Sequence, residues 1–284
     1  MRRTVITLVM ALSGVGIVSP ATAGACTAGT HSHAATGRHR IGRAPLVVGD
    51  STSIIAAPML GRLGLEADAR GCRTFGQGVE MLAARHRAHT LPHVVAMALG
   101  ANAATTSGQV SAAVRVMGRH RVLALVTARM SGVSNAAMQR AARRYPDRVV
   151  LVDWVRFSAG HGGWFAGDGL HVGREGASAY AHLIRRAVAP FAFPPVGLLK
   201  IGRPGERGKR CSNVRRGGRS MRVYVPRGDR RVTCARARAL VHRPPLRPAT
   251  GWKVYDWRAS RSRTWSWVYA RRDRKVLVGA VAGT

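Results

Sequence analysis

The sequence predicts an α/β protein, a parallel sheet with helices on both faces, joined to a small C-terminal α+β domain. Three observations carry this reading. Short apolar runs alternate with helical patterns from Pro45 to Phe193, the pattern of buried parallel strands joined by crossover helices. Composition changes at Phe193-Pro194-Pro195, beyond which residues 196–284 carry 24 basic and 4 acidic side chains. The 284 residues suffice for one large domain, or for a medium one plus a small one, with a proper core.

Candidate strands in the first part are Leu46–Val48, Val94–Leu99, Val122–Thr127 and Val149–Val152, with a weaker one near Glu66–Asp68. Helical stretches lie around Ile54–Leu60, Gly78–Arg87, Gln109–Met117 and Ala136–Arg143, and Ala177–Val188 closes the series. The second part shows strand-like Arg222–Val225 and Val276–Val281, and one helix starting near Thr233. It also holds four of the six tryptophans, Trp252, Trp257, Trp265 and Trp267. The expected organisation is a signal peptide (1–23), a His/Gly-rich leader (24–44), the main domain (45–193) and a small basic domain (196–284).

Arg2 and Arg3, the apolar run Val5–Val18 and the Ala21-Thr22-Ala23 triplet form a secretory signal with cleavage after Ala23. An uncleaved anchor is the alternative, although the run is short for a span of about 20 residues. After cleavage no transmembrane span is expected, and the chain is secreted through a bacterial Sec-type route. Its four cysteines, Cys26, Cys72, Cys211 and Cys234, then read as disulfides. Three connectivities are open, and Cys26–Cys72 with Cys211–Cys234 is the simplest.

The net charge of +34 constrains partners rather than fold, and its arginine bias is also what a GC-rich genome produces. Anionic cell-wall polymers, acidic glycans or phospholipid head groups are the polyanions a secreted chain meets. The stretch Arg258–Lys275 interleaves Arg and Lys with Trp265, Trp267 and Tyr269, as single-stranded nucleic-acid binders do. Export argues against nucleic acid, and those aromatics equally suit the core of a small sheet.

Parallel sheets carry their chemistry beyond the carboxyl ends of the strands, and three motifs fall there. Gly49-Asp50-Ser51 follows the first strand, where a serine hydroxyl can stand at the top of the sheet with its N–H at a helix start. Alone it also reads as a turn with Ser51 or Ser53 as N-cap. Leu99-Gly100-Ala101-Asn102 follows the third, and places an amide donor over the crevice or simply an asparagine in a turn. Gly167-Asp168-Gly169-Leu170-His171 precedes the last helix, so that Asp168 can orient the imidazole of His171 and leave its other nitrogen to take a proton. One Asp and one His are too few ligands for a metal. His161, His86, His89 and His93 read as surface or loop residues. No GxGxxG or Walker loop follows a strand, and no cofactor is expected.

In this order and spacing the motifs resemble those of the SGNH/GDSL hydrolase superfamily. Residues 45–193 look most like the extracytoplasmic SGNH domain of membrane O-acyltransferases. Asp68-Ala69-Arg70-Gly71-Cys72-Arg73 with Gly76-Gln77-Gly78 resembles that subtype's second block, and Ala98–Asn102 its third. The resemblance implies a flavodoxin-like three-layer α/β/α fold. It also implies Ser51 as nucleophile, His171 as base, Asp168 as its orienting carboxylate, and an oxyanion hole from Asn102 and the N–H groups of Ser51 and the Gly71/Cys72 turn. Cys72 stands near the family's second-block glycine, and Ala103 replaces the commoner Asp after Asn102. The implied activity is that of a serine esterase removing short acyl groups from a glycan, wall polymer or lipid. O-acetyl transfer and non-catalytic wall binding on the same scaffold are the alternatives. Thr233–Arg238 and Gly251-Trp252 resemble short cysteine-containing modules that end secreted actinobacterial proteins. A chain ending at Pro195 is expected to keep catalysis and lose attachment to anionic surfaces, unless the small domain packs on the large one and stabilises it.

Overall fold

A computed structural model describes residues 29–37, 42–193, 208–216, 219–226, 232–243, 251–256, 267–271 and 277–282. The signal segment, Cys26, the Pro194-Pro195 boundary, Trp257 and Trp265 lie outside the described residues.

The first part is a three-layer α/β/α unit. Its strands are β1 (Thr30–His33), β2 (Leu46–Gly49), β3 (Glu66–Arg70), β4 (Val94–Ala98), β5 (Val122–Val126) and β6 (Val149–Val152), in spatial order β1-β3-β2-β4-β5-β6. The pairs from β3 across to β6 are parallel, whereas β1 runs antiparallel to β3 with Thr30 opposite Arg70. The stretch read as a leader therefore supplies an edge strand. Its residues are mostly exposed and contribute backbone hydrogen bonds rather than core, so no apolar pattern announces it.

Helices α1 (Ala57–Arg62) and α6 (Arg174–Ala192) cover one face. Helices α2 (Phe75–Arg87), α3 (Ser107–Met117) and α4 (Gly132–Arg144) cover the other, and a short α5 (Trp154–Phe157) follows β6. The strand period of two divides the side chains between the faces. Val47 packs toward α1 and α6, whereas Leu46 and Val48 pack toward α2 and α3. Two helices start at capping boxes, in which Thr74 pairs with Gln77 and Thr106 with Gln109. Each box satisfies two otherwise orphaned N–H groups and fixes where the chain leaves the strand end.

The second part is an antiparallel sheet. It comprises β7 (Gly208–Arg210), β8 (Val214–Arg216), β9 (Arg219–Pro226), β10 (Trp252–Asp256), β11 (Trp267–Arg271) and β12 (Leu277–Ala282). Their order is β10-β11-β12-β9-β7, with β8 also on β9. Helix α7 (Cys234–His242), capped by Thr233, packs on β8 and β9. Cys211 is disulfide-bonded to Cys234, so the turn before β8 is tied to the start of α7. Cys72 is disulfide-bonded as well, and its expected partner Cys26 lies outside the described residues. No helix among the described residues is long and apolar enough to cross a membrane.

The two parts share one apolar cluster. Ile184, Val188 and Phe191 of α6 belong to the same buried cluster as Val223, Val241 and Trp252, α6 touches β10, and Arg216 Nε lies 4.0 Å from Asp147 Oδ2. The packing alternative is thus the one the contacts favour. A chain ended at Pro195 should lose on the order of 3–5 kcal/mol of stability, because large apolar side chains left in water cost about 1.5–3 kcal/mol each. Denaturant titration of both chains checks this, and equal midpoints would show the contact to be incidental.

Candidate active site

The site is built at the carboxyl ends of β2, β4 and β5 and closed by the loop before α6. The backbone turns sharply after β2. Ser51–Ser53 form a single 3-10 turn capped by Asp50, whose Oδ1 accepts from Thr52 N–H at 3.0 Å and from Thr52 Oγ1 at 2.6 Å. Ser51 opens this turn, so its own N–H is not consumed within it. Asp50 is 1% exposed, and its Oδ2 faces Ala101 N–H at 3.4 Å. Burial pushes its carboxyl above the ordinary carboxylate range, against the opposing pull of these hydrogen bonds. One carboxylate thereby ties the serine turn to the Gly100-Ala101-Asn102 loop. Gly100 has φ +128°, open to glycine and strained for other residues, and it lets the loop fold back over β4.

Arg73 makes the second tie. Its buried guanidinium donates to Gly49 O at 3.0 Å, to Asp68 O at 2.6 Å and to Asp68 Oδ1 at 2.7 Å. Its carbonyl accepts from Asn102 Nδ2 at 3.3 Å, which uses one of the amide's two hydrogens. The parallel register of β2 on β3, with Gly49 opposite Ala69, sets the Gly71-Cys72 turn beside the Ser51 turn. Cys72 takes φ +53°, a left-handed conformation that normally favours glycine. The expected oxyanion residues Ser51, Asn102, Gly71 and Cys72 thus stand at neighbouring strand ends.

The third motif reaches the same place from the far end of the chain. Residues Phe165 and Val172 pair as an antiparallel bridge, Ala166 N–H donates to His171 O at 2.8 Å and Gly173 N–H to Trp164 O at 2.8 Å. These bonds make Trp164–Gly173 a small ribbon. It seats closely on α6, because a Cβ at Gly176 would stand 2.1 Å from Trp164 O. At its tip Asp168 Oδ1 accepts from Leu170 N–H at 2.9 Å and His171 N–H at 3.0 Å, and Oδ2 lies 2.5 Å from His171 Nδ1. His171 Nε2 is 3.0 Å from Ser51 Oγ, across 120 residues of chain. With Asp168 ionised, Nδ1 carries the proton donated to it and Nε2 accepts the Ser51 hydroxyl.

The three residues expected as nucleophile, base and orienter are therefore brought into one hydrogen-bonded line. His161 is exposed and stacks on Trp164 at 3.9 Å between ring centroids, outside that line. Among the described residues no group of three or more His, Cys, Asp or Glu is placed to hold a metal ion. Two contributors went unread in the sequence: Arg73 as the tie between blocks, and the β5 loop Thr127–Arg129. The second has no motif of its own; only its place after a central strand marks it.

No protein-family model and no curated protein matches the chain. Similar solved structures include the C-terminal catalytic domain of Streptococcus pneumoniae peptidoglycan O-acetyltransferase A. It is 22% identical, with 52% of this chain matched to 93% of that one at a TM-score of 0.47. A putative SGNH hydrolase from Slackia heliotrinireducens is 19% identical, with 52% and 99% covered and a TM-score of 0.42. A family 3 carbohydrate esterase from Clostridium thermocellum is 14% identical, with 51% and 95% covered and a TM-score of 0.41. Each of these similarities spans about half of this chain.

The Asp168 carboxyl is held down to about 2, first by His171 and then by the Leu170 and His171 N–H groups. A depressed carboxyl stabilises the fold above its unfolded value near 4 and loses that contribution as pH falls toward 2. The thermal midpoint of Asp168→Asn should therefore lie below that of the parent at pH 6, with the gap closing by pH 2. A gap independent of pH would show that the carboxylate's charge is not what holds the loop.

Proposed function

We propose that the chain is a secreted serine esterase that hydrolyses short-chain O-acyl esters carried on a glycan or cell-wall polymer. The observation that carries this reading is the line Asp168–His171–Ser51, with 2.5 Å and 3.0 Å between successive heteroatoms. Such spacing is what a nucleophile and its oriented base require.

In the proposed reaction Ser51 Oγ attacks the ester carbonyl carbon as its proton passes to His171 Nε2. The carbonyl electron pair moves onto oxygen, and the N–H groups of Ser51 and the Gly71/Cys72 turn receive it together with the Asn102 amide. The carbonyl carbon–oxygen bond to the alcohol then breaks, and the alcohol leaves with the proton from Nε2. Water repeats the sequence on the acyl-serine, giving its proton to His171 and releasing the acid and free Ser51. Asp168 holds the tautomer that accepts at Nε2 and stabilises the imidazolium that forms.

Three features support the finer parts of the reading. The side chains of His171 and Asp168 are 37% and 48% exposed, which leaves an acyl-serine open to water and favours hydrolysis over transfer. The disulfides suit an oxidising compartment and so agree with export, and the +34 charge suits an anionic polymer as carrier. O-acetyl transfer to a glycan hydroxyl remains the second reading, since any bound hydroxyl can take the place of water at the same acyl-serine.

Hydrolysis of p-nitrophenyl acetate tests the assignment. Ser51→Ala and His171→Ala should each lose on the order of a thousandfold or more in kcat/KM, and Asn102→Ala about a hundredfold. The Ser51 and Asn102 variants should keep thermal midpoints near that of the parent, whereas His171→Ala, which removes the main partner of Asp168, should lower it. Undiminished turnover by the Ser51 variant would remove the esterase reading, and absence of turnover on any ester would leave a binding protein on a hydrolase scaffold. Adding a glycan acceptor separates the two catalytic readings by whether acyl-glycan or free acid accumulates.

A further inference from the structure

The loop after β5 carries an arginine that the proposed triad does not use. Arg129 lines the same narrow cavity as Asp50 and Thr52, which flank Ser51, and Leu170, which precedes His171. It is partly buried, and among the described residues no carboxylate lies within ion-pair distance of it. Its Nε is buried without a hydrogen-bond partner. Among the described residues its side chain makes one hydrogen bond, from Nη1 to Ser158 Oγ at a long 3.4 Å. A guanidinium has five N–H donors, so most of this fork is unspent, and a donor left buried and unpaired is destabilising.

The surroundings hold that unspent group in place. The guanidinium lies over the Phe165 ring at 4.1 Å, and Phe165 belongs to the ribbon that carries His171. Behind it, Asn135 clamps the loop, donating to Ala128 O and accepting from Ala128 N–H, both at 2.8 Å. Thr127 Oγ1 lies 3.2 Å from Asp153 Oδ1 and accepts from Val155 N–H at 3.0 Å. Next to Arg129, Met130 sits at φ +59° and is 83% exposed, so the loop is strained at its tip while its base is pinned. A pinned loop that holds a cation without a carboxylate partner at the cavity beside the serine turn is how a binding fork is preorganised. Planar guanidinium matches carboxylate geometry with two parallel bonds.

We propose that Arg129 is a specificity-determining residue that binds a carboxylate group of the ester substrate. This inference rests on the esterase reading of the Ser51 site. The carboxylate has two sources, the acyl half or the alcohol half of the ester, and both present the same chemistry to the fork.

Matched pairs of esters test it on the full chain. Mono-p-nitrophenyl succinate against p-nitrophenyl butyrate reads the acyl half, and 4-acetoxybenzoate against 4-acetoxybenzamide reads the alcohol half. The parent protein should prefer the charged member of one pair by about tenfold or more in kcat/KM, the scale of one hydrogen-bonded charge pair. Arg129→Met should collapse that ratio toward one, and Arg129→Lys should keep part of it. No preference in either pair, or a ratio that survives Arg129→Met, overturns the proposal. The ratio cancels any general damage to the site, and should Arg129→Met fail to fold, the drop in ratio in Arg129→Lys decides. If neither member of either pair is hydrolysed, the esterase reading has failed by itself. Calorimetric binding of succinate and of benzoate then decides the arginine: binding lost on substitution supports it, and no binding, or equal binding, overturns it.

Discussion

The architecture of the site depends on one buried carboxylate. Asp50 stands between the serine turn and the third-block loop, and its two oxygens meet donors from both. Taking a carboxylate out of water is expensive unless hydrogen bonds replace the lost solvation. These donors sit where they must because β2 and β4 are parallel neighbours with Gly49 opposite Ala98. The sheet register therefore sets the distance between Ser51 and Asn102, and Asp50 converts that register into a fixed crevice. Arg73 does the same on the other side, linking the ends of β2 and β3 and offering its carbonyl to Asn102.

Against this rigid half stands a half delivered by helix packing. Among the described residues the ribbon with Asp168 and His171 pairs with no strand of the main sheet. It is positioned by its seat on α6, where Gly176 admits Trp164 O, and by stacking of Trp164 on Trp154 with centroids 5.9 Å apart. Tyr180 on α6 completes the seat, edge-on to Trp154 at 4.9 Å and 3.4 Å from Ser53 Oγ. Burial drives its phenol well above the ordinary value, so it remains a neutral hydrogen-bonding group. Through Tyr180, the helix that seats His171 also touches the turn that bears Ser51. Separation of 120 residues in sequence thus becomes 3.0 Å in space.

Legibility in the sequence followed the same division. Strands buried on both faces, Leu46–Gly49, Val94–Ala98 and Val122–Val126, read as apolar runs because both neighbouring layers demand it. Thr30–His33 was unreadable, since an edge strand held by backbone bonds needs no apolar side chain. Gly78 as the start of α2 came out three residues late: Thr74 and Gln77 form a capping box, a local signal that was present and unused. In the second part, Trp252–Asp256 and Trp267–Arg271 pair with each other, and the latter also with Leu277–Ala282, but their arginine-rich surroundings masked the alternation. Ser51, Asn102, Asp168 and His171 were legible because each lies in a loop whose order along the chain is fixed by the topology. Arg73 and Arg129 were not, because what distinguishes them is non-local: a carbonyl 24 residues away for one, and the absence of any carboxylate among the described neighbours for the other.

The central claim is that Ser51 is an activated nucleophile, and covalent capture tests it most directly. A serine-directed fluorophosphonate, incubated with the full chain near neutral pH, should leave one adduct, located by peptide mass spectrometry on Ser51. An unmodified Ser51, or an adduct on a different serine, would contradict the account.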